Sequence, residues 1–371
     1  MARSSNKSQF PTVTTAGGLL PADFLHTLKT GIERQGGSDL PGLQPADYHL
    51  GSETFGEATN RAWNALQGRW EHFKAYLDEQ DDTDTTHGET WDRFLRPLFR
   101  ELGYGQLDRN LAVEIEADTY KITHHWRGVA VHLLGAGISI DKRTPGAEGA
   151  ARKSPHAMVQ EFLNRSDDHL WAFVANGLNL RILRDNVSLT RQAYVEFDLY
   201  AMFEGGEYAD FQLLWLLCHQ SRVEGSPPET CWLERWATEA KQRGVRMLDG
   251  LRDGVEKSIS ALGEGFLKHP DNRALRERLT SGELSTQDYY RQVLRIVYRL
   301  IFLFVAEDRN LLLVTDAPEE AKRRYRRHYA TDRLRELAQR RRGSVHPDLW
   351  EQLKLIMRAL GSPEGQPALA L

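Results

Sequence analysis

Apolar residues recur at steps of three and four through residues 54–79, where Trp63, Leu66, Trp70, Phe73 and Leu77 share one face of a predicted helix. The acidic residues Asp81, Asp82 and Asp84 end it in an exposed loop. A second helix begins near Thr90, turns Trp91, Phe94, Leu95, Leu98 and Phe99 inward, and stops at Gly103-Tyr104-Gly105. The period then changes to two. Segments 111–116, 119–123, 129–134 and 138–140 read as short strands. Ser154-Pro155 opens a helix through Met158, Val159 and Phe162. Strands follow at 170–175 and 178–184, joined by Asn176-Gly177, a pair suited to the positive φ of a tight hairpin turn. A strand at 193–197 and a helix at 208–222 complete this region.

Beyond residue 223 the alternation of strands ends, and the pattern predicts helices at 231–261, 273–279, 287–312, 316–342 and 346–359. Residues 1–50 are rich in Gly, Pro, Ser and Thr and read as an extended arm with a short helix at 22–33. Leu19, Leu20, Phe24, Leu25 and Leu28 are too apolar for a free tail, so the arm is expected to wrap the body. The pattern divides the chain into an arm with helices (1–88), an α/β unit (89–223), a helical spacer (224–360) and a Pro/Gly/Ala-rich linker (361–371). The expected fold class is therefore α/β plus all-α. A helix, an antiparallel meander, a crossover helix and a returning strand fit a restriction-endonuclease-like unit, and they fit other α+β arrangements as well.

Composition narrows the classes. At 371 residues with 40% hydrophobic and 27% charged content, the chain is globular rather than disordered. Its formal charge of -4 means that any contact with nucleic acid must come from a local basic patch. Cys218 and Cys231 have no ligand-spaced partners, so no zinc site or disulfide framework is expected. The N-terminus lacks the apolar stretch of a signal peptide, and the most apolar run, 297–306, contains Arg299 and is far too short to span a bilayer. A cytoplasmic protein without membrane partners is expected.

Metal-dependent phosphodiester cleavage needs acidic groups for Mg²⁺ and a lysine beside the attacking water. The segment Ile138-Ser139-Ile140-Asp141-Lys142-Arg143 offers Asp141 as the acid, but Arg143 stands where a nuclease has lysine. A guanidinium stays protonated, so it clamps phosphate and cannot serve as a base. Glu114, Glu116 and Asp118 lie upstream, outside any Pro-Asp setting. Asp141 is thus a weak nuclease candidate in a degenerate triplet, with Mg²⁺ needed only if it cleaves.

Methyl transfer to an exocyclic amine needs an Asn/Asp-Pro-Pro-aromatic tetrad, whereas Pro227-Pro228 lies between Ser226 and Glu229. Gly135-Ala136-Gly137 runs towards another predicted strand and reads as a turn rather than a cofactor loop. There is no nucleophile elbow, P-loop lysine or zinc-protease motif. The adjacent His124 and His125 point to opposite sides of an extended chain and cannot share a metal.

The residues that do suggest a partner are basic. Residues 322–342 carry ten Lys/Arg against two acids, Asp332 and Glu336. Lys322, Arg323, Arg324, Arg326 and Arg327 fall within two helical turns, and Arg340, Arg341 and Arg342 follow. Arg323, Arg326 and Arg327 share a face on which guanidiniums meet a phosphate ridge, and Tyr325 and Tyr329 add stacking groups. The competing reading is a charged helix facing water or pairing with Glu319 and Glu320. Lys142 and Arg143 join Lys322, Arg323, Arg324, Arg326, Arg327, Arg341 and Arg342 as candidate DNA contacts.

Several runs resemble one family. Asp167-Asp168-His169-Leu170-Trp171, Asn176-Gly177, residues 180–186, Tyr194-Val195-Glu196-Phe197-Asp198-Leu199 and Tyr208-Ala209-Asp210-Phe211 are similar to the front portion of type IIG-like adenine-specific DNA methyltransferases. These include the methylases of BREX- and DISARM-type phage-defence systems. Residues 40–43, 47–50, 154–156, 160–165, 294–304 and 306–309 extend the resemblance over most of the chain. It implies a DNA-binding or scaffolding front module of a restriction-modification enzyme, with S-adenosylmethionine held by a separate methyltransferase domain or subunit. Two alternatives remain: a Mg²⁺-dependent endonuclease subunit using Asp141, and a subunit of a defence complex that docks on proteins through Leu300, Phe302 and Phe304.

Overall fold

The computed structural model describes residues 10–33, 40–80, 87–109, 112–116, 118–185, 192–340 and 346–371. The chain divides into two units, residues 1–245 and 246–371. The pattern's boundaries at 88 and 223 differ from this, and the arm belongs to unit 1 for two physical reasons. Strand β1 (Val13–Ala16), in the arm, joins the sheet by pairing antiparallel with Tyr194–Asp198. The arm is also pinned beside that strand, where Thr12 donates its backbone N–H (2.8 Å) and hydroxyl (2.6 Å) to the Asp210 carboxylate.

In unit 1, α1 (Ala22–Glu33) is followed by α2 (Phe55–Asp78), which starts at a capping box between Thr54 and Glu57. The next helical stretch comprises α3 (His87–Thr90), a widened π-helical turn (Trp91–Leu95) and α4 (Arg96–Glu101). Then come β2 (Asp108–Arg109), the β3–β4 hairpin (Val113–Ile115 and Asp118–Tyr120), β5 (His124–Trp126) and β6 (Val129–Leu133). Helix α5 (Pro155–Arg165) crosses to β7 (Trp171–Ala175), which lies parallel to β6, and β8 (Asn179–Arg184) and β9 (Tyr194–Asp198) return antiparallel. Helices α6 (Leu199–Gly205) and α7 (Tyr208–Cys218) follow. The result is a mixed seven-stranded sheet in the order β1-β9-β8-β7-β6-β5-β2.

Strand alternation assigns the two faces. Val131, Leu133, Phe173, Leu180, Ile182, Val195 and Phe197 bury one face against residues of α1, α2, α4, α6 and α7. Ala130, Ala172, Val174 and Leu183 bury the other against Val159, Phe162 and Leu163 of α5. Each large side chain so buried contributes about 1.5–3 kcal/mol. Gly177 holds the β7–β8 turn at φ +83°, and a Cβ there would come within 2.7 Å of the Thr90 methyl.

One expected strand does not form. Residues 138–140 are irregular, held by a turn from the Ile138 N–H to the Gly135 carbonyl (3.0 Å) and by the Asn176 side chain donating to the Ile138 carbonyl (2.9 Å). Ile138 and Ile140 are buried all the same, which is why an apolar alternation here imitates a strand.

Helix α8 (Trp232–Lys268) begins in unit 1 and ends in unit 2. Unit 2 contains α9 (Arg273–Ser281), α10 (Thr286–Asp308), α11 (Glu319–His328), α12 (Thr331–Arg340) and α13 (Asp348–Gly361). The single helix expected over 316–342 is broken at Tyr329-Ala330. There Glu307 accepts from the Thr331 N–H (2.9 Å) and also from the Thr331 and Tyr325 hydroxyls, so its carboxylate caps α12. Residues 361–371, expected as a linker, fold back instead: Leu369 joins Leu303, Tyr325, Leu353 and Ile356 in the core of this unit.

Candidate functional site

Asp141 ends the irregular 138–141 segment and is tied to strand β8 through its side chain. Both of its carboxylate oxygens accept from Arg181, at 2.7 and 3.0 Å, a two-pronged pairing suited to the guanidinium fork. Arg181 is 1% exposed, on the face of β8 opposite Leu180 and Ile182. Its cross-strand partner Glu196 receives the Nε–H at 2.7 Å. His156, at the start of α5, accepts from Arg181 Nη1 at 3.0 Å, and the Tyr194 ring lies under the guanidinium at 4.1 Å.

The electrostatics follow from this geometry. The Arg181 hydrogen bonds hold the Asp141 carboxyl below its usual range. Burial, reinforced by the Arg181 charge, pushes His156 down to about 4, so at neutral pH it is an uncharged acceptor. Burial works against the charge on Arg181, but Asp141 and Glu196 outweigh it. Two carboxylates that frame a position suited to a divalent cation instead frame a fixed internal cation. A Mg²⁺ ion placed there would meet an always-protonated guanidinium, so this donor set fits Arg181 and does not fit the metal. Among the described residues no group of three His, Cys, Asp or Glu side chains is placed to hold a metal ion.

Of the upstream acids, Asp118 pairs with Arg165, while Glu114 stays exposed and Glu116 turns at φ +55°. Glu196, which sequence reasoning did not single out, completes the centre. Its signal was the β8–β9 hairpin register, which sets Glu196 opposite Arg181. Arg184 donates to both carboxylate oxygens of Glu234, each at 2.8 Å, and to the Asp185 carbonyl at 2.8 Å.

The second candidate is the basic face of unit 2. Lys322 is drawn in by Glu319 (2.9 Å) and the Thr315 carbonyl (2.7 Å), and Arg324 by Glu320 (3.0 Å) and the Ala368 carbonyl (3.1 Å). These pairs occupy both acids of α11. Arg323, Arg326 and Arg327 are exposed on one concave surface that Glu319 and Glu320 also line. None of the three makes an ion pair among the described residues, although the Lys322 hydrogen bond and, to a lesser extent, the Arg326 charge hold Glu319 below its usual range. Tyr325 is unavailable for stacking, because it is buried with its hydroxyl on Glu307, and Tyr329 packs partly against the core. Lys142 and Arg143 are exposed beside Asp141, whereas Arg341 and Arg342 lie outside the described residues.

Other expected features take structural roles. Gly135-Ala136-Gly137 forms a turn whose Ala136 N–H donates to the Thr90 hydroxyl (3.1 Å) and leads into a loop rather than a strand. Pro227 and Pro228 enter a short turn before α8. His124 is buried and stacks on Trp91, while His125 is partly exposed. Both cysteines are buried and unbridged, and burial raises both thiols. Of the proposed docking residues only Phe302 is strongly exposed: Leu300 packs on the unit 2 core, and Phe304 lies under Arg335. No helix among the described residues is long and apolar enough to cross a membrane.

No protein-family model, curated protein or solved structure matches this chain.

Proposed function

We propose that this chain holds DNA within a DNA-modifying assembly and leaves the chemistry to a partner. The observation that carries the reading is the set of three unpaired arginines, Arg323, Arg326 and Arg327, on one exposed face of α11. Lys322, Arg323, Arg324, Arg326 and Arg327 outnumber Glu319 and Glu320 on this helix, and a face with that excess of positive charge gains by meeting phosphates, through release of the counterions condensed on DNA.

The Asp141–Arg181–Glu196 centre supports the second half of the proposal. Helix, antiparallel strands, crossover helix α5 and parallel strand β7 follow the order of a restriction-endonuclease-like unit. The acid expected to bind metal is engaged by an internal arginine. A degenerate nuclease-like unit coupled to a basic helical unit accords with the resemblance to the front portion of adenine-specific DNA methylases of phage-defence systems. On this reading the methyltransferase is a separate domain or subunit, which holds S-adenosylmethionine, and the setting is the cytoplasm.

Incubation of the purified chain with plasmid DNA and Mg²⁺ tests the proposal. The expected result is DNA retained on the protein with every plasmid uncut. Mg²⁺-dependent nicking abolished by Asp141→Ala, or no retention at low salt, overturns it.

A further inference from the structure

Three arginines of unit 1 stand outside every ion pair among the described residues. Arg69 on α2, Arg100 on α4 and Arg109 on β2 are exposed, and their side chains make no hydrogen bond or ion pair among the described residues. All three line one cleft of about 1070 Å³. Three acids share this cleft, and they are partnered to different degrees. Asp92 pairs with Arg96 (3.2 Å), Glu101 shares Arg61 (3.3 Å) with Glu53, and Asp108 lies 4.0 Å from His125 Nε2, which carries charge only when protonated. Four arginines against three acids leave the lining with one positive charge in excess, and Arg69, Arg100 and Arg109 are the guanidiniums left to meet a ligand in this concave site.

An aromatic group stands in the same cleft. Trp91 is half-buried there, its ring 4.7 Å from that of buried His124 and tilted by 27°. Trp91 opens the π-helical turn that Arg96 closes by donating its N–H to the Trp91 carbonyl. The widened turn has a local cause in Pro97, which lacks an N–H and whose ring disfavours a regular preceding turn. Trp91 and Arg96 line the same cleft as Arg69, Arg100 and Arg109.

Unpaired guanidiniums beside an indole are the chemistry of a single-stranded polynucleotide site: cations track the phosphates while an unpaired base stacks on the ring. A duplex keeps its base faces stacked inside and cannot use Trp91 in this way. We infer that the cleft between α2 and residues 91–109 binds a single-stranded segment of nucleic acid. The inference goes beyond the role proposed for α11, since it involves other residues, in the other unit, and another form of nucleic acid.

Fluorescence anisotropy of a labelled oligothymidylate, titrated with the full chain, tests it. The variants are Arg69→Ala/Arg100→Ala/Arg109→Ala together, Trp91→Leu, and Arg323→Ala/Arg326→Ala/Arg327→Ala, with circular dichroism checking that each is folded. The expected result is binding that weakens roughly tenfold or more in the cleft triple variant and roughly tenfold in Trp91→Leu. The α11 variant keeps this binding, and polyphosphate competes poorly. The inference is overturned if the oligonucleotide does not bind, or if the cleft triple variant binds it as the parent does. It is equally overturned if Trp91→Leu is silent while polyphosphate competes at equal charge, which marks a mere polyanion patch. Duplex retention by α11 is a separate readout, so the two proposals fail independently.

Discussion

Arg181 and Glu196 face each other across the β8–β9 ladder, and the same guanidinium also grips both oxygens of Asp141. Removing Arg181 leaves two carboxylates crowded together with their buried counter-charge gone. Arg181→Met is expected to cost roughly 3–5 kcal/mol in urea unfolding. Arg181→Lys keeps the charge but loses the fork, and falls between parent and Met variant. Because the Asp141 side chain is 55% exposed, Asp141→Asn costs only about 1 kcal/mol or less. A silent Arg181→Met contradicts the view that this centre is a structural ion cluster.

Buried histidines set the acid side of the stability profile. Burial is the main cause that pushes His156 to about 4 and His219 to about 3. The unfolded chain therefore takes up protons at these sites, below its ordinary histidine value near 6.5, before the folded protein does. Stability falls as pH drops from about 6.5 towards 4, by up to roughly 1.4 kcal/mol per pH unit per histidine. The depressed Asp141 adds to the loss at still lower pH, as its carboxylate is protonated through its folded-state value. Urea midpoints measured across this range check the trend, and a flat profile between pH 6.5 and 4 refutes it.

Gly42 marks a close approach of the arm to the rest of unit 1. It sits at φ +84°, and a Cβ there would lie 2.4 Å from the Trp232 ring. Trp232 belongs to the aromatic surround of buried Arg222, which donates to the Gly42 carbonyl at 2.7 Å. Gly42→Ala is expected to cost more than ~2 kcal/mol, from overpacking added to backbone strain. Gly206, with φ +66° but open space around it, provides the control: Gly206→Ala costs only about 1 kcal/mol. Thermal unfolding of the two variants separates strain from collision, and equal losses contradict this account.

Much of the fold was legible because local pattern and burial agree. Trp63, Leu66, Trp70 and Phe73 are buried on one face of α2, as their spacing predicts, and Asn176-Gly177 makes the expected turn. What escaped were the non-local features. The arm's strand is recognisable only from its pairing with β9, since four residues carry too little alternation to stand out. The 138–140 segment alternates like a strand because two isoleucines reach the core from a loop. Glu307, more than twenty positions before Thr331, caps α12 through tertiary structure and so leaves no local capping signature. At the candidate sites, sequence spacing placed Arg323, Arg326 and Arg327 on one face. It could not show that Glu319 and Glu320 would engage Lys322 and Arg324 instead. Nor could it bring Arg181 to Asp141, forty residues apart in the chain.

The salt dependence of duplex binding tests the central claim most directly. Binding constants for one DNA duplex are measured over a range of salt for the parent and for Arg323→Ala/Arg326→Ala/Arg327→Ala. Each phosphate contact contributes about −0.9 to the slope of log K against log salt. The account predicts weaker binding by the variant at low salt and a slope shallower by roughly 2–3. Identical affinity and slope in the two proteins would contradict it.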